Sequence, residues 1–223
     1  MNGPFQGFTK QTGEFLWELS FNNERPWFLA HKEQFETLVD RPLRAMAAET
    51  LAELDRRAPD YGFETHVARV YRDARRLFGR GPYKDHLWFS LHAGDKHDQS
   101  PDFWFEIGPA TVSYGLGWWE ASPSMMDAFR RAVQANPARF ERLTGGLEEK
   151  WKLWGEPYKR PKLQLGETLD PWVNRKGLSV GWERDFEGEF FDPALPRRMA
   201  ERYERLLPLY DFLREAWRAA QEE

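Results

Sequence analysis

The sequence predicts an α+β fold: one central antiparallel sheet, a meander, flanked by N- and C-terminal helices. Three observations predict it. Both ends of the chain repeat apolar residues at three- and four-residue steps, the period of a half-buried helix. The middle, from His66 to Trp118, alternates apolar and polar residues with period two, as strands do. The alternating runs also follow one another through short links with no helix-length segment between them, which argues against a parallel doubly wound sheet.

Taken in order, Thr9 is placed to cap a helix over 9–21, with Phe15, Leu16 and Leu19 as its apolar stripe and Asn22-Asn23 as its break. A second helix starts near Pro26, a favoured first-turn position, and buries Trp27, Phe28, His31, Phe35, Leu38 and Val39. Pro42 restarts the pattern, which runs through Leu43, Met46, Leu51 and Leu54 to about Arg57, and Ala58-Pro59-Asp60-Tyr61-Gly62 is a turn. Residues 66–75 read as a strand with Arg69, Tyr71, Asp73 and Arg75 on one face and Arg72 on the other, among Ala68, Val70 and Ala74.

Leu87, Phe89 and Leu91, then Phe103, Phe105 and Ile107, then Val112, Tyr114, Leu116 and Trp118 mark three further strands, the last two joined at Gly108-Pro109-Ala110. Ser122-Pro123 opens a helix carrying Met126, Phe129 and Val133, and a shorter helix ends at Gly145-Gly146. From Trp151 to Gly188 the chain reads as loop, with an edge strand at Leu178, Val180 and Trp182. The last helix carries Met199, Tyr203, Leu206, Tyr210, Leu213 and Trp217 inward, and Pro208 is expected to kink or split it.

With 223 residues, 41% of them hydrophobic and 30% charged, the chain is long enough for one large core, and a single domain over 1–223 is expected. It has no cysteine, which excludes a disulfide framework, a thiolate metal site and a cysteine nucleophile, and fits a cytoplasmic protein. Met1-Asn2-Gly3-Pro4-Phe5 lacks the pattern of a signal peptide, and no run approaches the roughly 20 apolar residues that span a bilayer. A net charge of −4 argues against general nucleic-acid affinity, so an anionic partner has to bind locally.

One segment opposes that global charge. Between Arg69 and Lys84 stand five arginines, one lysine and a single acid. Forked guanidinium groups in such density are suited to an oxyanion.

The order Asn22-Asn23, Arg25, Trp27-Phe28, then Arg69-Val-Tyr-Arg72-Asp73-Ala-Arg75 and Pro82-Tyr83-Lys84 resembles the domain of unknown function 2461 family, mostly bacterial with relatives in fungi. The resemblance continues through Phe105-Glu-Ile-Gly-Pro, Tyr114-Gly-Leu-Gly117, Arg130, Tyr158-Lys-Arg-Pro161, Arg175-Lys176 and Leu207-Pro-Leu-Tyr-Asp-Phe-Leu213. The chain departs from the pattern at Arg76 and Gly79-Arg80, where the family typically continues with Arg-Phe and an acid–lysine pair. That change makes the segment more basic. The resemblance implies an independently folding domain and supplies no catalytic assignment.

The residues themselves suggest the roles. Arg69, Arg72, Arg75, Arg80 and Lys84 are the candidate binding residues for a phosphate-bearing small molecule or nucleic acid, with Gly79 and Gly81 permitting close approach. If the site does chemistry, Asp73 is the candidate general base and Tyr83 the proton donor. Arg72, facing the apolar side, needs an acid partner such as Glu106. Lys159, Arg160, Lys162, Arg175 and Lys176 either extend the anion surface or form a solvated loop, and Asn22, Asn23 and Trp27 serve the helix connection or a corner of the same cleft.

No cofactor fingerprint appears, and His31, His66, His86, His92 and His97 lack metal-ligand spacing, although His92 through Asp98 offer a weak alternative. Two other readings stay open. Trp88, Trp104, Trp118 and Trp119 with Glu106, and Glu120 or Asp102 as second carboxylate, suit a carbohydrate-binding or hydrolysing groove. The long terminal helix suits a protein-interaction module.

Overall fold

The computed structural model describes residues 3–73, 75, 77, 79–94, 100–118 and 120–222. Helices α1 (Lys10–Phe21), α2 (Arg25–Ala30), α3 (Lys32–Phe35) and α4 (Arg41–Arg57) come first. Strands β1 (Glu64–Val67), β2 (Leu87–His92), β3 (Asp102–Ile107) and β4 (Thr111–Gly117) follow. Then come α5 (Pro123–Ala135), α6 (Pro137–Gly145), β5 (Lys152–Trp154), α7 (Asp170–Val173), β6 (Ser179–Asp185) and α8 (Leu195–Gln221). Among the described residues six strands form one antiparallel sheet in the order β1-β2-β3-β4-β6-β5, with helices at both chain ends. The α+β class and the meander hold.

Three local readings change. The strand at 178–182 is not an edge strand: β6 lies between β4 and β5, and β5 takes the edge, with Leu153 opposite Val180. Glycine makes that insertion feasible, because a Cβ on Gly117 of β4 would sit 2.4 Å from the Ser179 Cα.

The expected strand at 66–75 is regular only to Val67. Beyond it the chain still runs beside 82–88, through Ala68 N–H to the Trp88 carbonyl at 2.8 Å, Lys84 N–H to the Val70 carbonyl at 2.7 Å and Arg72 N–H to the Pro82 carbonyl at 2.8 Å. Tyr71 and Tyr83 meet in an isolated antiparallel bridge. Pro82 has no N–H to extend the ladder, so regular pairing stops.

The third change concerns Pro208, which does not split the last helix but stays inside one continuous α8. Pro42 acts as expected but through a π-helical turn at Glu36–Asp40 that precedes α4. It offers no N–H to the Leu38 carbonyl, and the buried Thr12 hydroxyl of α1 donates to that carbonyl at 2.9 Å instead.

The chain packs as two compact units, one of Met1–Leu91, Trp104–Tyr114 and Glu183–Arg202, the other of His92–Phe103, Gly115–Trp182 and Tyr203–Glu223. In the first, Phe8 stacks on Phe105, which also contacts Phe89 and Phe190, all four fully or almost fully buried. In the second, Phe103 stacks on Tyr203 and Tyr210, while Phe129, Phe140 and Phe212 form a mutual aromatic cluster. Aromatic contacts of this kind add about 0.5–1.5 kcal/mol each beyond their burial. No helix among the described residues is long and apolar enough to cross a membrane.

Candidate functional site

The first unit positions the basic segment with an asparagine clasp. Asn22 ends α1 through its own amide on the Glu18 carbonyl. Asn23 reaches across instead: its Nδ2 donates to the Tyr83 carbonyl and its Oδ1 accepts the Tyr83 N–H, both at 2.9 Å. Gly81 is required beside it, since a Cβ there would lie 2.3 Å from Asn23 Oδ1. Tyr83 itself is 3% exposed and stacks on Phe28 at 4.1 Å. Burial and the nearby Tyr71 raise its hydroxyl above the ordinary phenol range, with Arg25 opposing.

The six sequence-selected charges then separate. Arg72 is nearly buried and spent internally, its Nε donating to the Tyr83 carbonyl at 2.7 Å and its Nη2 to Asp85 Oδ1 at 2.8 Å. Its acid is Asp85, not Glu106. Asp73 holds Arg75 in a two-pronged pair at 3.1 and 2.8 Å, on a guanidinium 88% exposed. Hydrogen bonding to Asp73, then its charge, raise the Arg75 pKa. Arg69 and Arg80 are exposed and have no ion pair among the described residues.

Lys84 donates to the carbonyls of Arg69 and, at 3.0 Å, Tyr71, and lies 5.1 Å from the Trp88 ring centroid. Its pKa is pushed down by burial first and then by the Arg72 and Arg69 charges.

Next to these cations lies a cluster built on Asp85, which no sequence signal singled out. Asp85 Oδ1 accepts from Arg72 and also contacts His86 Nδ1 at 3.0 Å, and His86 stacks on Trp88 at 6.0 Å. Burial by itself would raise the Asp85 carboxyl. Hydrogen bonds from a backbone N–H and from His86, with the His86 and Arg72 charges, outweigh it and hold the carboxyl below its usual range. On β3, half-buried Glu106 is pushed above the usual carboxylate range by desolvation. The His86 charge opposes that shift, and the Glu183 and Asp85 charges add to it.

Just before β2, Lys84 lies over the Trp88 indole and His86 stacks on it, and Trp88 points away from the buried Leu87 and Phe89 by alternation. The cluster's only trace in the sequence is the Asp-His pair directly after the basic run, visible if the run is not stopped at Lys84.

The tryptophan groove loses a member: Trp118 is 4% exposed and packs edge-on against Phe129 in the second unit. Trp88 and Trp104 remain half-buried. His92 is buried with its Nδ1 on the Gly94 carbonyl, and among the described residues no group of three acids or histidines is arranged to hold a metal ion. Ala74, Arg76, His97, Asp98 and Trp119 lie outside the described residues.

In the second unit, Arg175 donates to the Pro171 and Gly155 carbonyls and Lys176 pairs with Glu156 at 2.7 Å, while Lys162 sits over the Tyr158 ring. A cavity of about 360 Å³ in the first unit, lined by Phe5, Thr12, Leu38, Arg41 and Pro42 among others, contains none of the sequence-selected residues.

The fold and this face define an α+β protein whose sheet carries cations beside an acid–imidazole cluster. The chain belongs to the family described as conserved hypothetical protein (DUF2461), whose model matches residues 11–212. No curated protein matches the chain.

Proposed function

We propose that this is a cytoplasmic protein that binds an anionic ligand, a phosphate-bearing small molecule or a nucleic-acid strand, through Arg69, Arg80 and Lys84, with Arg75 exposed beside them. One observation carries the reading. Lys84 sits among carbonyls, an indole and two arginines rather than against a carboxylate, so burial first, and then the Arg72 and Arg69 charges, disfavour the ionised ammonium. A bound anion would relieve that repulsion. Arg72 and Asp73 serve as supports, one holding the Tyr83 carbonyl and Asp85, the other orienting Arg75.

Binding of a fluorescein-labelled single-stranded oligonucleotide, and of pyrophosphate by calorimetry, tests this. For the oligonucleotide, three engaged cations predict that log K falls against log salt with a slope of about −2, and Arg80→Ala lowers that slope by about 0.7. Binding that ignores both salt and Arg80→Ala, or no binding to either probe, would end the reading.

A further inference from the structure

The second unit contains a cavity lined by none of the residues proposed above to bind an anion. It measures about 330 Å³ and lies between α6, through Arg139 and Leu143, and the C-terminal half of α8, from Pro208 to Arg218. Pro208, Asp211, Glu215 and Arg218 recur there at three- and four-residue steps, with Arg214 beside them, so one flank of α8 forms the wall.

The charges of that wall are unequally engaged. Glu215 holds Arg139 in a two-pronged pair at 2.7 and 2.9 Å, and the Arg139 guanidinium also lies 5.2 Å from the Phe212 ring centroid. Hydrogen bonding from Arg139, with the Arg139 and Arg218 charges, outweighs burial and holds the Glu215 carboxyl below its usual range, so this pair is complete by itself. Arg214 differs. It lies 6.0 Å from the Tyr210 ring centroid and has no hydrogen bond or ion pair among the described residues, and its Nε is buried without an acceptor. Arg218, exposed one turn later, has no ion pair among the described residues either. A permanent cation with a buried, unanswered donor is costly, and an anion at its guanidinium supplies the missing countercharge.

We propose that this cavity binds a small organic anion, its carboxylate or phosphate held by Arg214 and Arg218 and its body against Leu143 and Pro208. Three arginines against two carboxylates leave the wall with one net positive charge, which suits a single anionic group rather than a polyanion. A bare oxyanion displaces only a few waters, at about 30 Å³ each, so most of the cavity is left for an organic body. Arg139, tied to Glu215, frames the site, and the Tyr210 ring positions Arg214. The site stands independently of the basic segment.

The experiment titrates the full chain, labelled with nitrogen-15, with phenyl phosphate, benzoate and phenol while NMR follows the arginine Nε–H cross-peaks. The expected result is a saturable shift of the Arg214 cross-peak, with a Kd of about 1 mM or below for at least one of the two anions and no binding of phenol. Arg214→Gln and Arg218→Ala should each weaken binding about 10-fold or more, read in those variants from the Leu143 amide. Arg80→Ala, in the other unit, should leave it unchanged. Tighter phenyl phosphate assigns the ligand to phosphate monoesters and tighter benzoate to carboxylic acids, and either order supports the site.

No saturable shift at Arg214 with either anion overturns the proposal. Phenol binding as tightly as the anions overturns it too, because the charge would then do nothing. So does affinity unchanged in both arginine variants. Circular dichroism checks that each variant folds. Should Arg214→Gln fail that check, Arg218→Ala, at an exposed position, decides the matter together with the Arg214 cross-peak of the parent chain.

Discussion

Two loops in this protein are each closed by a single antiparallel bridge, Tyr71 with Tyr83 and Pro157 with Arg175, and each is clasped by one asparagine. Asn23 grips the Tyr83 backbone from outside the first loop. Asn174 grips the second from within, accepting the Lys162 and Leu163 N–H groups and donating to the Leu163 and Asp170 carbonyls. Their cations then part company. At the second loop Arg130, reaching in from α5 and 7% exposed, donates to the Val173 carbonyl at 2.8 Å and the Arg175 carbonyl at 3.0 Å, and Arg175 donates to two more. Those arginines do the work that a ladder would do in a strand, satisfying carbonyls of an irregular segment. At the first loop, among the described residues, Arg72 and Lys84 are used that way, and Arg69 and Arg80 face water. Arg130 and Arg175 are thus spent on structure, whereas Arg69 and Arg80 stay exposed for the ligand proposed above.

The sharpest test of that contrast is Arg130→Ala. It strands the Val173 and Arg175 carbonyls and removes the Asp127 pair, so a loss of about 3 kcal/mol is expected in urea unfolding. A loss below about 1 kcal/mol would dissolve the distinction between the loops. Arg72→Ala should cost roughly 1.5–3 kcal/mol, because it gives up one charged pair and one carbonyl bond at a half-open site. It should also let the Asp85 carboxyl rise toward its usual range, followed by NMR, which a purely packing role would leave alone.

The smallest effect belongs to Glu106. Its carboxyl titrates higher folded than unfolded, so the native state holds the extra proton between the ordinary carboxylate pKa and the raised one. Stability falls as pH rises through that window, and the cost is complete above it. Glu106→Gln should thus match the parent at pH 4 and exceed it at pH 8, by roughly 2 °C in Tm for about 0.5–1 kcal/mol. A variant less stable at pH 8 would mean that Glu106 is paired rather than strained.

Much of this was legible in the chain. Alternation around Phe89 and Phe105 located two strands whose burial alternates, and the third, around Tyr114, is buried along almost its whole length yet alternates in sequence because Ser113, Gly115 and Gly117 stand between its large residues. Thr9, Pro42 and Ser122 marked helix starts, since capping is a matter of adjacent residues; the Ser122 hydroxyl does accept the Met125 N–H. The density of arginine at 69–84 was equally plain.

What the sequence by itself determined was local: secondary-structure period, helix starts and the place of excess charge. The tertiary structure decided the rest. It placed β6 inside the sheet, gave Arg72 to Asp85 rather than Glu106, sent Trp118 into the core and set Glu106 in the fields of His86, Glu183 and Asp85. Periodicity is a property of consecutive residues. The partner of a charge is whichever group the folded backbone brings within a few ångströms, and composition along the chain carries no record of that distance.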